Sequence, residues 1–215
     1  FPDQGLALDV AVHVGSILAV MIYFSEELWK MFKGLLKTYF IPTMKNADAK
    51  TFWLIVIGTI PIVIVGLLLK ENGMEWLRST KIIGWTILGY GLLLFVADKF
   101  GMTIRKINHL SPLDAFLIGC AQCLALIPGT SRSGVTITMA RFLSMERREA
   151  AKFSMLLSIP AIIAAASLVA FELYQQENLA AVAETIDGIT YSFISSIIAI
   201  YIVMWWLKKS TFLPF

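Results

Sequence analysis

Charged residues are scarce in this chain. They make up 15% of its 215 residues against 58% for the hydrophobic set, where a soluble domain carries about 25% charged and 45 to 50% apolar residues. That shortage excludes a disordered, collagen-like or nucleic-acid-binding chain and places the protein in a bilayer. Cysteine is scarcer still, with Cys120 and Cys123 alone. Their C-x-x-C spacing by itself would suit a redox pair or half of a zinc site, but both sit in an apolar run without a second pair, which favours packing. Of the two histidines, His109 falls in a connection with no second ligand nearby and is given no role. Phe1 stands where Met would open a full-length product, and no charged n-region precedes an apolar h-region, so no signal peptide is read. The sequence is expected to be a fragment or to lack its ends.

What the chain does have is long apolar runs. Crossing about 30 Å of hydrocarbon takes about 20 residues of helix, with roughly 17 to 25 tolerated. Leu6 to Phe24, Thr51 to Leu69, Phe153 to Phe171 and Gly188 to Leu207 come close to that length. Ile82 to Ala97 is a shorter fifth span, with Trp85 and Tyr90 suited to an interface. Asp114 to Met145 is a sixth apolar region, broken in the middle by Pro128, Gly129, Ser131, Arg132, Ser133 and Gly134.

The few charges set the orientation, because connections rich in Lys and Arg stay in the cytoplasm. Of 18 basic residues, 13 lie in connections or a tail read as cytoplasmic. These are Ser25 to Lys50, Lys99 to Lys106, Arg147 to Lys152, and Lys208 with Lys209. Glu172 to Asp187 has four acids and no base and faces outward, whereas Lys70 to Lys81, with three bases, is discordant and must be outside if its neighbours are placed correctly. Asp98, beside Lys99 at a cytoplasmic helix end, is expected to be solvated, and Glu172 likewise on the outer side. Both flanks of the broken region then lie on one face. Its first arm, Asp114 to Ile127, gives about 21 Å of helix, which passes the midplane without crossing. The expected architecture is therefore an all-α polytopic transmembrane helical bundle, a single membrane domain over 1–215, with a re-entrant helical hairpin at 114–145 and a tip at 128–134 deep in the membrane. Irregular backbone at that depth requires surrounding protein or a watery cavity.

The tip reads Pro128-Gly129-Thr130-Ser131-Arg132-Ser133-Gly134, followed by a helical run from Val135 to Met145. Two glycines permit close backbone approach, and three hydroxyls with free amides meet at a helix start, where the dipole end is positive. Arg132 adds a fixed charge with a planar fork suited to two oxygens of one phosphate. An arginine near mid-membrane costs at least about 2.5 kcal/mol, which marks a functional site by default. The blander reading has Ser and Thr capping the second half-helix and Arg132 paired with a carboxylate.

Asp9 and His13 stand at i and i+4 on one helical face, either as an oriented acid and imidazole pair or as an interfacial pair satisfied by water. Gln122, in the first arm, either supports the tip by hydrogen bonding or makes a simple interhelical contact. Gly58-Thr59-Ile60-Pro61 and Leu157-Ser158-Ile159-Pro160 share a small-polar-Ile-Pro core, although both run from inside to outside and so do not by themselves show an inverted repeat.

The tip, with Gln122-Cys123-Leu124-Ala125-Leu126-Ile127 before it, resembles the second signature of the bacterial undecaprenyl-diphosphatases, the bacitracin-resistance family. Leu8 to Val20, the Ile60-Pro61 and Ile159-Pro160 spans and Phe212-Leu213-Pro214-Phe215 resemble that family as well, so the likeness covers essentially the whole chain. It implies hydrolysis of undecaprenyl diphosphate to the monophosphate carrier of cell-wall synthesis, in a bacterial inner membrane, at a site open to the outer face. Arg132, Ser131 and Ser133 are then the expected catalytic residues, with Gly129, Thr130, Gly134, Gln122 and His13 binding substrate. A divalent cation, Mg2+ or Ca2+, is implied, its main ligands expected upstream of Phe1 in a glutamate-rich first signature that nothing here matches. A final span is expected after Phe215. A chain limited to these residues is expected to bind phosphate without cleaving it. The partners implied are the polyprenyl diphosphate and membrane lipids, with a homodimer left open and no nucleic acid.

Two other functions compete. A polyprenyl-phosphate transporter or flippase also uses broken helices around a midplane anion site. A structural membrane subunit would use the hairpin for packing alone and would tolerate Leu at position 132.

Overall fold

In hydrocarbon a chain must satisfy its own N–H and C=O groups, and an apolar run does so as an α-helix. The computed structural model describes the backbone of residues 6–70, 79–175 and 181–215, and their side chains apart from 6, 7, 9, 10, 70, 168–175 and 181–185. The expectations for Asp9 and Glu172, and much of those for the Lys70 to Lys81 and Glu172 to Asp187 connections, lie outside the described residues. Eight α-helices and no strand are formed among them: α1 (Leu6–Tyr23), α2 (Ser25–Lys37), α3 (Ala47–Lys70), α4 (Thr80–Phe100), α5 (Pro112–Cys123), α6 (Arg132–Phe142), α7 (Arg147–Gln175) and α8 (Ala181–Trp206). The protein is an all-α polytopic bundle. Four helices, α3, α4, α7 and α8, are long and apolar enough to cross a membrane, and α1 joins α2 in a pair bent by 74°.

Every expected span is found as helix, most of them extended by several residues at an end, because amphipathic turns continue the helix past the apolar run. Two departures matter more. Ser25 to Lys50, read as a connection, contains α2, whose Leu28, Met31 and Leu35 return to one face at helical spacing and join the core. The two arms of the broken region also end elsewhere than expected. α5 stops at Cys123 and gives way to a 3-10 turn, Leu124–Leu126, while α6 starts at Arg132, so Arg132 and Ser133 belong to a helix's first turn.

α6 is packed against α4, α5 and α7, and α3 lies against α5 and α7. The common core includes Leu54 and Ile55 of α3, Ile118 of α5, Ile137 and Ala140 of α6, and Phe153 and Leu157 of α7. Where α3 meets α5 the backbones touch: a Cβ on Gly119 would strike the Gly58 carbonyl oxygen. Gly119→Ala is therefore expected to push α3 from α5 and cost about 1–3 kcal/mol. Thermal unfolding in detergent checks it, and an unchanged midpoint would show slack in that contact.

Asp98 is not solvated. It is 5% exposed, and its Oδ1 accepts from Arg141 Nε at 3.1 Å and Arg147 Nε at 2.7 Å. Its Oδ2 accepts from the Phe212 amide at 3.0 Å. Arg141, fully buried, also donates to the carbonyls of Gly101, Met102 and Met145. The carboxylate is desolvated because two arginines and a backbone N–H replace its water.

Candidate functional site

The turn between α5 and α6 is held by α4. Thr86 Oγ1 donates to the Pro128 carbonyl at 3.0 Å. Gly129 has φ +85°, and a Cβ there would lie 2.5 Å from Thr86 Oγ1 and 2.9 Å from the Ile83 backbone. Glycine is thus required at 129 by a left-handed backbone docked on a neighbouring helix. Ser131 is the N-cap of α6, its Oγ accepting from the Gly134 amide at 3.2 Å, and Ser133 Oγ lies 3.3 Å from Ser131 Oγ.

Arg132 turns the other way, since successive helix side chains diverge by about 100°. Its Nε donates to Gln122 Oε1 at 2.8 Å, and its Nη2 donates to the same oxygen at 2.5 Å and to the Leu157 carbonyl at 2.8 Å. Gln122 is fully buried, and its Nε2 reaches the Gly58 carbonyl at 3.4 Å. The two acceptor carbonyls correspond. Gly58 stands three residues before Pro61, and Leu157 three before Pro160, each inside the turn that a proline bends. The sequence likeness of those segments is therefore a likeness of use: each supplies one carbonyl to the Arg132–Gln122 unit.

Among the described residues no carboxylate pairs with Arg132, and no hydrogen bond engages its Nη1. The guanidinium lines a cleft of about 520 Å3 together with Thr130, His13 of α1, Ile62 of α3, Ala125 and Leu126 of the turn, and Ala161, Ile162, Ala165 and Ala166 of α7. Thr130 Oγ1 is buried with no hydrogen-bond partner. The lining thus combines one cation, a threonine and a histidine with a largely aliphatic wall.

Of the residues expected at the site, Arg132, Thr130 and His13 are brought together in this cleft. Ser131, Ser133, Gly129 and Gly134 cluster beside it at the helix start without lining it. Gln122 does not line the cleft either, because its amide is spent on Arg132 and Gly58. Sequence reading missed the aliphatic wall and the Leu157 carbonyl; the repeated Ile-Pro core was the available signal for both. No group of three or more His, Cys, Asp and Glu side chains among the described residues is placed to hold a metal ion. These residues do not fit a divalent cation, and no step is routed through one.

The whole chain, residues 1–215, matches the family described as bacitracin resistance protein BacA. It is 43% identical over 216 residues to undecaprenyl-diphosphatase 1 of Rhodospirillum rubrum, covering all of this chain and 76% of that protein. Undecaprenyl-diphosphatase of Roseobacter denitrificans is 42% identical over 218 residues, covering all of this chain and 80% of the relative. That of Alteromonas mediterranea is 41% identical over 213 residues, with 99% and 80% covered. The match runs through both Ile-Pro segments and the arginine-bearing turn that their carbonyls hold, and the chain belongs to the bacitracin resistance protein BacA family.

Proposed function

We propose that the protein hydrolyses undecaprenyl diphosphate to undecaprenyl phosphate and inorganic phosphate, returning the lipid carrier to cell-wall synthesis. The observation that carries this is Arg132: a guanidinium held by neutral partners, without a carboxylate among the described residues, lining an otherwise largely aliphatic cleft. Such a charge favours an anion, and an aliphatic wall beside it favours an anion that carries a hydrocarbon tail. Arg132 Nη1 and the Thr130 hydroxyl hold the diphosphate oxygens, and the fixed charge stabilises negative charge that grows on the transferred phosphoryl group. The positive end of α6 adds to the same potential.

In a bilayer α5 and α6 reach about 18 Å and 17 Å, too short to cross alone. This supports a re-entrant hairpin, and the proposal places it in the bacterial inner membrane, with basic connections in the cytoplasm and the cleft open to the outer face. The proposal includes a divalent cation as cofactor, its ligands lying outside the described residues of the cleft, so that chelation is expected to abolish phosphate release and Mg2+ or Ca2+ to restore it.

The test is phosphate release from undecaprenyl diphosphate by the purified protein in detergent, with lipid movement followed in sealed vesicles. Hydrolysis supports the proposal, whereas lipid movement without hydrolysis rejects it. The positioning role of Gln122 has its own signature. Gln122→Leu frees the guanidinium to swing and is expected to lower kcat by up to about 100-fold. Gln122→Glu keeps the acceptor but pairs the charge, so its main effect is expected on KM. Equal effects of both variants on kcat and KM would leave Gln122 a packing residue.

A further inference from the structure

α2 presents three different sides. Leu28, Met31 and Leu35 turn into the core. Trp29, Phe32 and Leu36, at i, i+3 and i+7, face out, Trp29 being 56% exposed, and the Trp29 and Phe32 rings stack at 5.5 Å. Lys30, Lys33 and Lys37 form an exposed row on the third side, with Lys33 Nζ 5.2 Å from the Trp29 ring centre. The segment that follows is exposed and apolar as well, at Tyr39, Phe40 and Ile41. Of the acids in the first turn, Glu27 is taken by Lys152 of α7 at 2.8 Å; Lys30 borders a cleft that it shares with Asp48 and Glu149, and Glu26 stands on the side of the lysine row.

Neither water nor hydrocarbon alone suits this helix. Water would wet six large exposed apolar side chains within one short stretch, and hydrocarbon would bury three ammonium groups. The boundary between them satisfies both, with aromatic and leucine side chains among the acyl chains and lysines at the level of the lipid phosphates. The 74° bend at the end of α1 turns α2 across the axis of the preceding apolar helix, as lying in that plane requires.

We propose that α2 and Tyr39–Ile41 form a docking surface for anionic phospholipid, Lys30, Lys33 and Lys37 binding the phosphate-bearing headgroups. This surface is separate from the cleft and does not depend on its chemistry. Retention of phosphatidylglycerol and phosphatidylcholine, added in equal amounts to the purified full chain, is read by native mass spectrometry. The wild type is expected to keep phosphatidylglycerol at least about fivefold over phosphatidylcholine, the preference falling by up to about fivefold per lysine removed. The triple Lys30→Gln, Lys33→Gln, Lys37→Gln variant should therefore bind the two lipids alike, with its helical circular dichroism intact. In vesicles, lipids brominated near the headgroup end of the tails should quench the emission lost in Trp29→Phe. Equal binding by the wild type, or an unaltered preference in the triple variant, would overturn the proposal. So would displacement of the lipid by millimolar inorganic phosphate, which assigns the row to a free anion, or an unquenched Trp29, which assigns the face to a protein partner or to water.

Discussion

Replacing Arg132 by alanine is expected to cut kcat/KM for the lipid diphosphate by about a thousand- to a hundred-thousand-fold. Arg132 is the permanent cation among the residues lining the cleft, and its position is fixed by three hydrogen bonds before any ligand arrives. Preorganisation of this kind lets the charge act on the transition state without reorganisation. Arg132→Lys keeps the charge and loses the planar fork, so it cannot hold Gln122 and Leu157 while presenting a free donor; a loss of about 100-fold or more is expected. Alanine also leaves the Gln122 oxygen without a donor, at a cost of about 1–3 kcal/mol. Unfolding is therefore followed alongside turnover, and Gln122→Leu in the same chain removes that orphan. Near-normal turnover by a folded Arg132→Ala protein would take Arg132 out of the chemistry.

The largest effect on stability is expected at the other end of the same helix. Arg141→Ala strips Asp98 of one partner and leaves the Gly101, Met102 and Met145 carbonyls short of a donor. Breaking one side of a buried ion pair costs about 3–5 kcal/mol. Replacing Asp98 and Arg141 together by leucine should recover part of that loss, because no lone buried charge remains opposite Arg141's place and Arg147, which is partly exposed, can turn to water. Chemical unfolding in detergent measures both. A loss below about 1 kcal/mol for Arg141→Ala would show water replacing the network.

The two arginines of the broken region show where the sequence was legible and where it was not. Arg132 stood out because hydroxyls, glycines and a helix start surround it within one heptapeptide. Arg141 stood in an apolar helix with nothing beside it in sequence, and its partners Asp98, Gly101 and Met102 come from residues about 40 positions earlier. For the same reason Asp98 read as solvated: adjacency to Lys99 was visible, and the fold's two arginines were not. Apolar runs fixed the spans to within a few residues because hydrocarbon leaves the backbone no alternative. α2 was hidden because its three lysines mark a connection by charge counting, whereas Leu28, Met31 and Leu35 mark a helix by period. At the turn, composition brought the right residues together but could not say which way each one faces. A shift of one position on a helix start sent Arg132 into the cleft and Ser131 to the cap.

The pair of carbonyls at Gly58 and Leu157 has a mechanical consequence. They belong to different long helices, and both are tied through one glutamine and one guanidinium. The spacing of α3 and α7 therefore sets where the charge stands, as the jaws of a caliper set its reading. If either helix slides or straightens at its proline, the guanidinium must move or surrender a bond. A change in the spacing of those two helices would thus reach the guanidinium through its own hydrogen bonds.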